Sequence, residues 1–338
     1  MCNDTLLGKT FPELQHIAAG LGFPAFAAKQ IADWLYKKKI SDIAEMTNLS
    51  AKNRVALAEK YCVGRSEAAE VRISTDGTKK YLFEASGGYV ETVFIPDGER
   101  ATLCVSSQVG CKMGCVFCMT GRQGFAAQLS AGEMLNQIFS VPESERLTNL
   151  VFMGMGEPFD NTQEVLKALE ILTADYGLAW SPKRITVSTI GLIPGLKLFL
   201  ENSRCHLAVS VHNPRHDERL RLMPAEKAYP LHEIIDLLKA YDFSHQRRVS
   251  FEYIAFGGQN DSLTHARDLV KLLKGLDCRV NLIRFHAIPD SDLHSSDEEQ
   301  MLRFRDYLNL HGVTATIRKS RGEDIFAACG MLSTAKNS

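Results

Sequence analysis

The stretch CVSSQVGCKMGCVFCMTGRQGF, residues 104–125, places four of the chain's nine cysteines within fifteen positions. Three of them, Cys111, Cys115 and Cys118, follow the spacing Cys-x3-Cys-x2-Cys. Two metal chemistries use thiolates at that density. A structural zinc site closes four ligands around one ion, commonly as two Cys-x2-Cys pairs, and no second pair follows here. A cluster of four irons ordinarily takes four cysteines. Three thiolates leave one iron open to chelate an amine and a carboxylate, the two groups on the methionine end of S-adenosylmethionine. Phe117, just before the last cysteine, stands where an aromatic shields such a cluster from water or simply packs.

A loop that holds metal needs a rigid strand behind it. From about residue 100 apolar runs recur as RATLCVSS, TNLVFMG, RITVST, CHLAVSVH, RVSFEYIAF and CRVNLIRFH. Helical patterns such as AGEMLNQIFSV, NTQEVLKALEIL, PLHEIIDLLKAY and HARDLVKLLKGL lie between most of them. This alternation implies right-handed crossovers and a parallel sheet. Six strand–helix units form an open, incomplete barrel, where eight would close one. Chemistry in such barrels collects where strands run into their following loops. The cysteine loop follows the first strand and MGMGEP the second. Ser188-Thr189 ends the third, Ser210-Val211-His212 ends the fourth, and His286 follows the sixth.

The earlier part of the chain has a different texture. FPELQHIAAGLG puts Leu14, Ile17, Ala18 and Leu21 on one helical face and closes with Gly22. AKQIADWLYKKK repeats the pattern with Ile31, Trp34 and Leu35, and Ser50 is placed to cap AKNRVALAEKY. Around Asp76-Gly77 and Gly87-Gly88 the period becomes two, which signals a short antiparallel meander. The expected organisation is a helical accessory region over 1–65, a β-meander extension over 66–100 and a catalytic partial barrel over 101–338.

At 338 residues, 45% apolar and 23% charged, the chain has ample material for a large core. A formal net charge of -1 excludes a general polyanion binder. Residues 1–65 nevertheless carry nine Lys/Arg against six Asp/Glu, including Lys37-Lys38-Lys39, read as a solvated helix face or a modest phosphate-contacting patch. No stretch is apolar enough to cross a bilayer, and MCNDTLLGKTF lacks a secretory pattern. An odd number of cysteines, several of them isolated, suits a reducing cytoplasm with metal or catalytic thiols. Cys2, Cys62, Cys205 and Cys278 read as buried small apolar residues.

Cys-x3-Cys-x2-Cys with an aromatic before its last cysteine resembles the radical S-adenosylmethionine superfamily. The longer series LCVSSQVGC, GMGEP, STIG, SVH, RKSRGEDI and AACG, in that order over roughly residues 88–332, resembles the RlmN/Cfr family of RNA adenosine methyltransferases, its RlmN branch more than Cfr. The resemblance implies an α/β fold built on a partial (β/α)6 radical-SAM barrel, with the helical region as an accessory RNA-binding domain. It implies one 4Fe–4S cluster on Cys111, Cys115 and Cys118, and S-adenosylmethionine lined by Gly156, Glu157, Ser188, Ser210, Val211, His212 and His286. At His286 the RlmN branch more commonly has Asn; both side chains hydrogen-bond, but His adds a titratable group. The implied substrates are 23S rRNA at the peptidyl-transferase centre and a set of tRNAs methylated at adenosine 37. The implied electron source is a low-potential donor such as flavodoxin or ferredoxin. Lys37 to Lys39, Arg122, Arg215, Arg219, Arg221, Arg318, Lys319 and Arg321 are the candidate contacts to RNA backbone.

The substrate explains the need for a radical. Carbon 2 of adenine lies between two ring nitrogens and is too electron-poor to attack a methyl sulfonium, and carbon 8 presents the same problem. By the resemblance, Cys329 takes a methyl group from one S-adenosylmethionine. A radical generated from a second one removes hydrogen from that methyl, and its carbon joins the adenine. Cys104 then attacks the sulfur of Cys329, forming a disulfide and releasing product. Glu91, in VETVFIP, accepts the ring proton. Carbon-2 methylation is the expected activity, and carbon-8 methylation shares every thiol with it. An iron–sulfur redox protein with a Cys104/Cys329 dithiol is the reading from another class, and it leaves GMGEP, STIG and SVH without purpose.

Overall fold

The computed structural model describes residues 4–243 and 249–333, so Cys2 lies outside the described residues. Twelve strands are defined there: β1 (Glu70–Ile73), β2 (Lys79–Ala85), β3 (Gly88–Asp97), β4 (Arg100–Cys104), β5 (Gln108–Gly110), β6 (Phe125–Gln128), β7 (Asn149–Phe152), β8 (Ile185–Thr189), β9 (His206–Ser210), β10 (Val249–Ala255), β11 (Cys278–Arg284) and β12 (Thr314–Ile317). Ten of them form one sheet in the order β1-β2-β3-β4-β7-β8-β9-β10-β11-β12, while β5 and β6 pair separately. From β4 onward every pairing is parallel. The two ends, β1 and β12, do not meet, so the barrel is open.

The six expected strands and their crossover helices are all present. Buried runs such as Leu150-Val151-Phe152 in β7 suit a parallel sheet covered on both faces. The helix Ala131–Phe139 starts on a capping box, with Ser130 Oγ accepting from the Glu133 amide at 3.2 Å while Glu133 accepts from the Ser130 amide at 2.8 Å. A seventh parallel strand, β12, had not been read from the sequence. Its four residues sit at the edge with only Ala315 buried, so it carries almost no apolar signal.

The expected meander is β1–β3, antiparallel with turns where Asp76-Gly77 and Gly87-Gly88 stand. It continues into the main sheet through an antiparallel β3–β4 pairing. The helices Phe11–Gly20, Ala27–Ala32 and Ala51–Ala58 follow the expected segments, and Ser50 Oγ caps the last by accepting from the Asn53 amide at 3.2 Å. They share one apolar cluster with the barrel, where Leu6, Leu14 and Tyr36 join Leu135, Ile138 and Leu172. Backbone at Gly8 lies against Gly132 so closely that a Cβ on Gly132 would stand 2.4 Å from the Leu7 carbonyl oxygen. Cys205 and Cys278 are buried as expected. Cys62 departs from that reading: it is half-buried and disulfide-bonded, and a backbone β-bridge pairs it with Thr5.

Candidate active site

The cysteine loop is framed before it is filled. β5 and β6 close its two ends, and the Cys111 amide donates to the Gly124 carbonyl at 2.9 Å. The Val116 amide reaches the Leu222 carbonyl at 3.1 Å, and the Met119 amide reaches the Gly330 carbonyl at 2.7 Å. Cys111 and Cys115 are buried and Cys118 is half-buried. Burial pushes the Cys111 thiol up to about 12 and Cys115 well above the ordinary range. Thiols held this way become good ligands once a cation pairs with them. Among the described residues no three His, Cys, Asp or Glu side chains converge tightly enough for a single metal ion. Three thiols from one short loop on one cavity wall are a donor set that fits a cluster whose thiolates take separate irons. Beneath the loop a small apolar cluster of Phe117, Met223, Phe256, Phe285 and Met331 excludes water. Phe117 packs edge-on against His212, ring centroids 4.9 Å apart.

These thiols open on a cavity of about 530 Å³. Its wall brings together Cys104, Cys111, Cys115, Cys118, Gly156, Glu157, Ser188, Ser210, His212, His286 and Cys329. Val211 and Glu91 are not part of that wall. The Val211 side chain is fully buried, and its backbone is committed to Glu252 and Arg219. Gly156 has φ 97°, and a Cβ there would stand 2.5 Å from Gln108 Cβ, so only glycine lets this turn approach.

Glu157 anchors one side. Its carboxylate accepts from the Phe159 amide at 2.9 Å, Thr189 Oγ1 at 2.7 Å and the Ile190 amide at 2.9 Å. Those three donors leave about one of the roughly four acceptor positions of a carboxylate for a ligand. Burial pushes the group up to about 7 despite these bonds. His212, at φ 54°, accepts from the Ile254 amide through Nδ1 at 3.0 Å. Burial and the nearby Arg219 hold it down to about 3, a neutral imidazole. His286 is lowered by burial, with Glu323 3.5 Å away opposing the shift.

Cys104, at the end of β4, and Cys329, from the last described segment, line the same cavity. Burial first, then the charge of Cys329, pushes Cys104 up to about 12, so the two thiols are near enough to feel one another. The Cys329 side chain is enclosed by protein yet exposed to the cavity.

Glu91 lies on β3 facing a second, smaller cavity of about 200 Å³. It is buried, paired with Lys80 at 2.8 Å, and accepts from the Ser333 amide at 2.9 Å. Burial raises its pKa and Lys80 opposes the rise. Residues 326–333 separate the cavities: Phe326, Met331 and Ser333 line the smaller, and Ala327, Ala328, Cys329, Gly330 and Leu332 the larger.

The candidate RNA contacts divide sharply. Arg318, Lys319 and Arg321 stand around the larger cavity, and Arg100 and Arg279 join them from β4 and β11. Arg219 is corrected: it is 1% exposed, paired with Glu226, and donates to the carbonyls of Val211, Ile190 and Ser210. Arg215 is taken up by Glu218 and Asp268, Lys37 pairs with Asp33, Lys38 lies over the Trp34 ring and Lys39 meets Glu145. Arg122 donates to the backbone carbonyls of Pro289 and Asp290, and Arg221 is exposed. Lys80 and Glu252 went unread in the sequence, because burial in a register of paired strands has no signature in a single residue.

Comparison with known proteins follows the same outline. Residues 105–272 match the Radical SAM superfamily, and residues 5–63 match the Ribosomal RNA large subunit methyltransferase N-terminal domain. The chain is 66% identical to the probable dual-specificity RNA methyltransferase RlmN of Phocaeicola vulgatus, covering 98% of this chain and 95% of that one. It is 43% identical to the dual-specificity RNA methyltransferase RlmN of Campylobacter hominis, covering 91% and 92%. The crystal structure of a radical SAM methyltransferase from Sphaerobacter thermophilus superposes with a TM-score of 0.92 at 39% identity, covering 98% of this chain and 99% of that one.

Proposed function

This chain belongs to the RlmN family of the radical S-adenosylmethionine superfamily, and on that premise we propose that it methylates carbon 2 of adenosine in 23S rRNA and at position 37 of certain tRNAs. The observation that carries the reading is the single cavity shared by the three loop cysteines and the pair Cys104 and Cys329. An iron–sulfur redox protein with a Cys104/Cys329 dithiol would use both sets too, but it leaves GMGEP, STIG and SVH without purpose. Methylation of an electron-poor carbon needs both, since one thiol must carry the methyl group and another must release the product.

Cys111, Cys115 and Cys118 would hold the 4Fe–4S cluster, and Glu157, Ser188, Ser210, His212 and His286 would hold S-adenosylmethionine. When bound, the two supply one-electron chemistry able to take hydrogen from an unactivated methyl group. The protein's share is placement. Glu157 would receive the ammonium, and neutral His212, whose Nδ1 accepts from the Ile254 amide, keeps Nε2–H as a donor without adding charge. Phe117 and the apolar cluster beneath it keep water from the cluster loop. Cys329 would accept a methyl group whose carbon becomes bonded to the adenine, and Cys104 would then attack its sulfur. The S–C bond breaks as the S–S bond forms, the released carbon keeps the bonding pair and takes a proton to become the product methyl, and a thiol reductant returns both cysteines. Glu91 takes the ring proton. Two molecules of S-adenosylmethionine are consumed per product. The exposed cations around the cavity mouth meet the phosphates of a looped-out nucleotide.

The test is a reaction of the anaerobically reconstituted protein with labelled S-adenosylmethionine, reductant and an rRNA fragment, followed by digestion to nucleosides. Label is expected in 2-methyladenosine, and Cys104→Ala is expected to stall with RNA attached through Cys329. Label in 8-methyladenosine would give the carbon-8 activity instead, and an adduct on Cys104 would reverse the two thiol roles.

A further inference from the structure

The segment that carries Cys329 is held from two sides. On one side the Met119 amide donates to the Gly330 carbonyl and Thr120 Oγ1 donates to the Leu332 carbonyl, both at 2.7 Å. On the other stands a buried ion pair on the meander. Lys80 and Glu91 are 8% and 7% exposed at their side chains and 2.8 Å apart. They are diagonal neighbours on one face of the β2–β3 hairpin, since Lys80 pairs with Val93 and Leu82 with Glu91. Lys80 Nζ also donates to the Phe326 carbonyl at 3.2 Å, and the other Glu91 oxygen accepts from the Ser333 amide at 2.9 Å. The pair therefore grips the segment at both ends, with Cys329 between.

We infer that Lys80 is a positioning residue: with Glu91 it forms a latch that docks segment 326–333 and so places the Cys329 thiol in the larger cavity. Burying an ammonium and a carboxylate is costly unless further hydrogen bonds satisfy them. The segment's own backbone supplies two of those bonds, so docking the segment completes the pair and the pair docks the segment. The inference rests on the proposed roles of Glu91 and Cys329 for one consequence. Glu91 lines the smaller cavity and Cys329 the larger, so both reach one adenine only when segment 326–333 shifts, and the latch is what holds that segment in place.

Hydrogen–deuterium exchange of the full, cluster-reconstituted chain reads the latch without any turnover. Lys80→Met is expected to speed exchange in peptide 326–333 by about tenfold or more, with β10 unchanged. Lys80→Arg, which keeps the charge and the reach, is expected to restore protection. Ser333→Pro removes the amide that Glu91 holds and leaves Lys80 in place, and is expected to loosen the same peptide even if Lys80→Met folds poorly. Unchanged exchange in 326–333 in both Lys80→Met and Ser333→Pro would overturn the latch, as would an equal rise in β10. Mass measurement of Cys329 separates this from the proposed chemistry. A loosened peptide with no methylated Cys329 in wild type would retain the latch and remove the methyl-carrier role. Methylated Cys329 with unchanged exchange would do the reverse.

Discussion

At the scale of single residues, sign and composition say little until burial is known. Arg219 and Arg318 are the same residue type, and only one of them faces solvent. Arg219→Ala leaves Glu226 buried without its guanidinium and takes a donor from the carbonyls of Val211, Ile190 and Ser210. That loss is expected to cost about 3–5 kcal/mol in urea unfolding. Arg318 is 47% exposed at its side chain, and its nearest acid, Glu252, is 4.0 Å away. Arg318→Ala is expected to leave stability within about 0.5 kcal/mol. RNA affinity should fall, with a salt dependence shallower by about one counterion. Equal losses of stability in the two variants would contradict this division.

At the scale of elements, the meander acts as the berth of the last segment as well as an edge of the sheet. Asp76, at its first turn, accepts from the Thr78 amide at 2.9 Å and the Gly322 amide at 2.9 Å. Ser74 Oγ donates to Asp324 at 2.6 Å. Burial would raise Asp76, but the hydrogen bonds from Thr78 and Gly322 outweigh it and hold the carboxyl down to about 2. A depressed carboxylate contributes stability above its ordinary value near 3.8 and loses it as pH falls through about 2. Asp76 is largely exposed, so solvent screening keeps the contribution to about 1 kcal/mol or less. Asp76→Asn is expected to show that deficit in urea unfolding at pH 6 and to converge on wild type near pH 2. A deficit that stayed constant with pH would mean that the charge is not what docks the segment.

At the scale of the molecule, the helical region and the barrel are one packing unit. Phe11 and Tyr36 meet Tyr176 of the barrel at ring-centroid distances of 5.5 and 6.2 Å. Lys167 pairs with Glu13 at 2.7 Å, and Arg65 donates to the Phe139 carbonyl at 2.9 Å. Removing residues 1–65 would uncover Leu135, Ile138 and Leu172. The truncated chain is expected to aggregate or to lose cooperative thermal unfolding, beyond any loss of RNA binding. A monomeric fragment with a sharp transition would restore the picture of a detachable accessory domain.

The thiol spacing, the strand–helix alternation and the order of GMGEP, STIG and SVH were legible from sequence because they are local. A loop that binds metal needs its ligands within a few residues, and a parallel strand buried on both faces must be apolar throughout. The six strands follow from that, and Glu157, Ser188 and Ser210, named by the family resemblance, line the cavity because they stand where successive parallel strands end. What needed the tertiary structure were relations between distant segments. Arg219 was indistinguishable from a surface cation, since nothing near it in sequence announces Glu226 as its buried partner. β12 lacked an apolar signal because an edge strand buries little. Nothing in Lys79-Lys80 marks its second lysine as buried, and nothing in VETVFIP marks Glu91 as its partner. Their burial, their pairing and their hold on the Cys329 segment arise only when hairpin register and the last segment meet, because a charge can be buried only where the fold brings its partners to it.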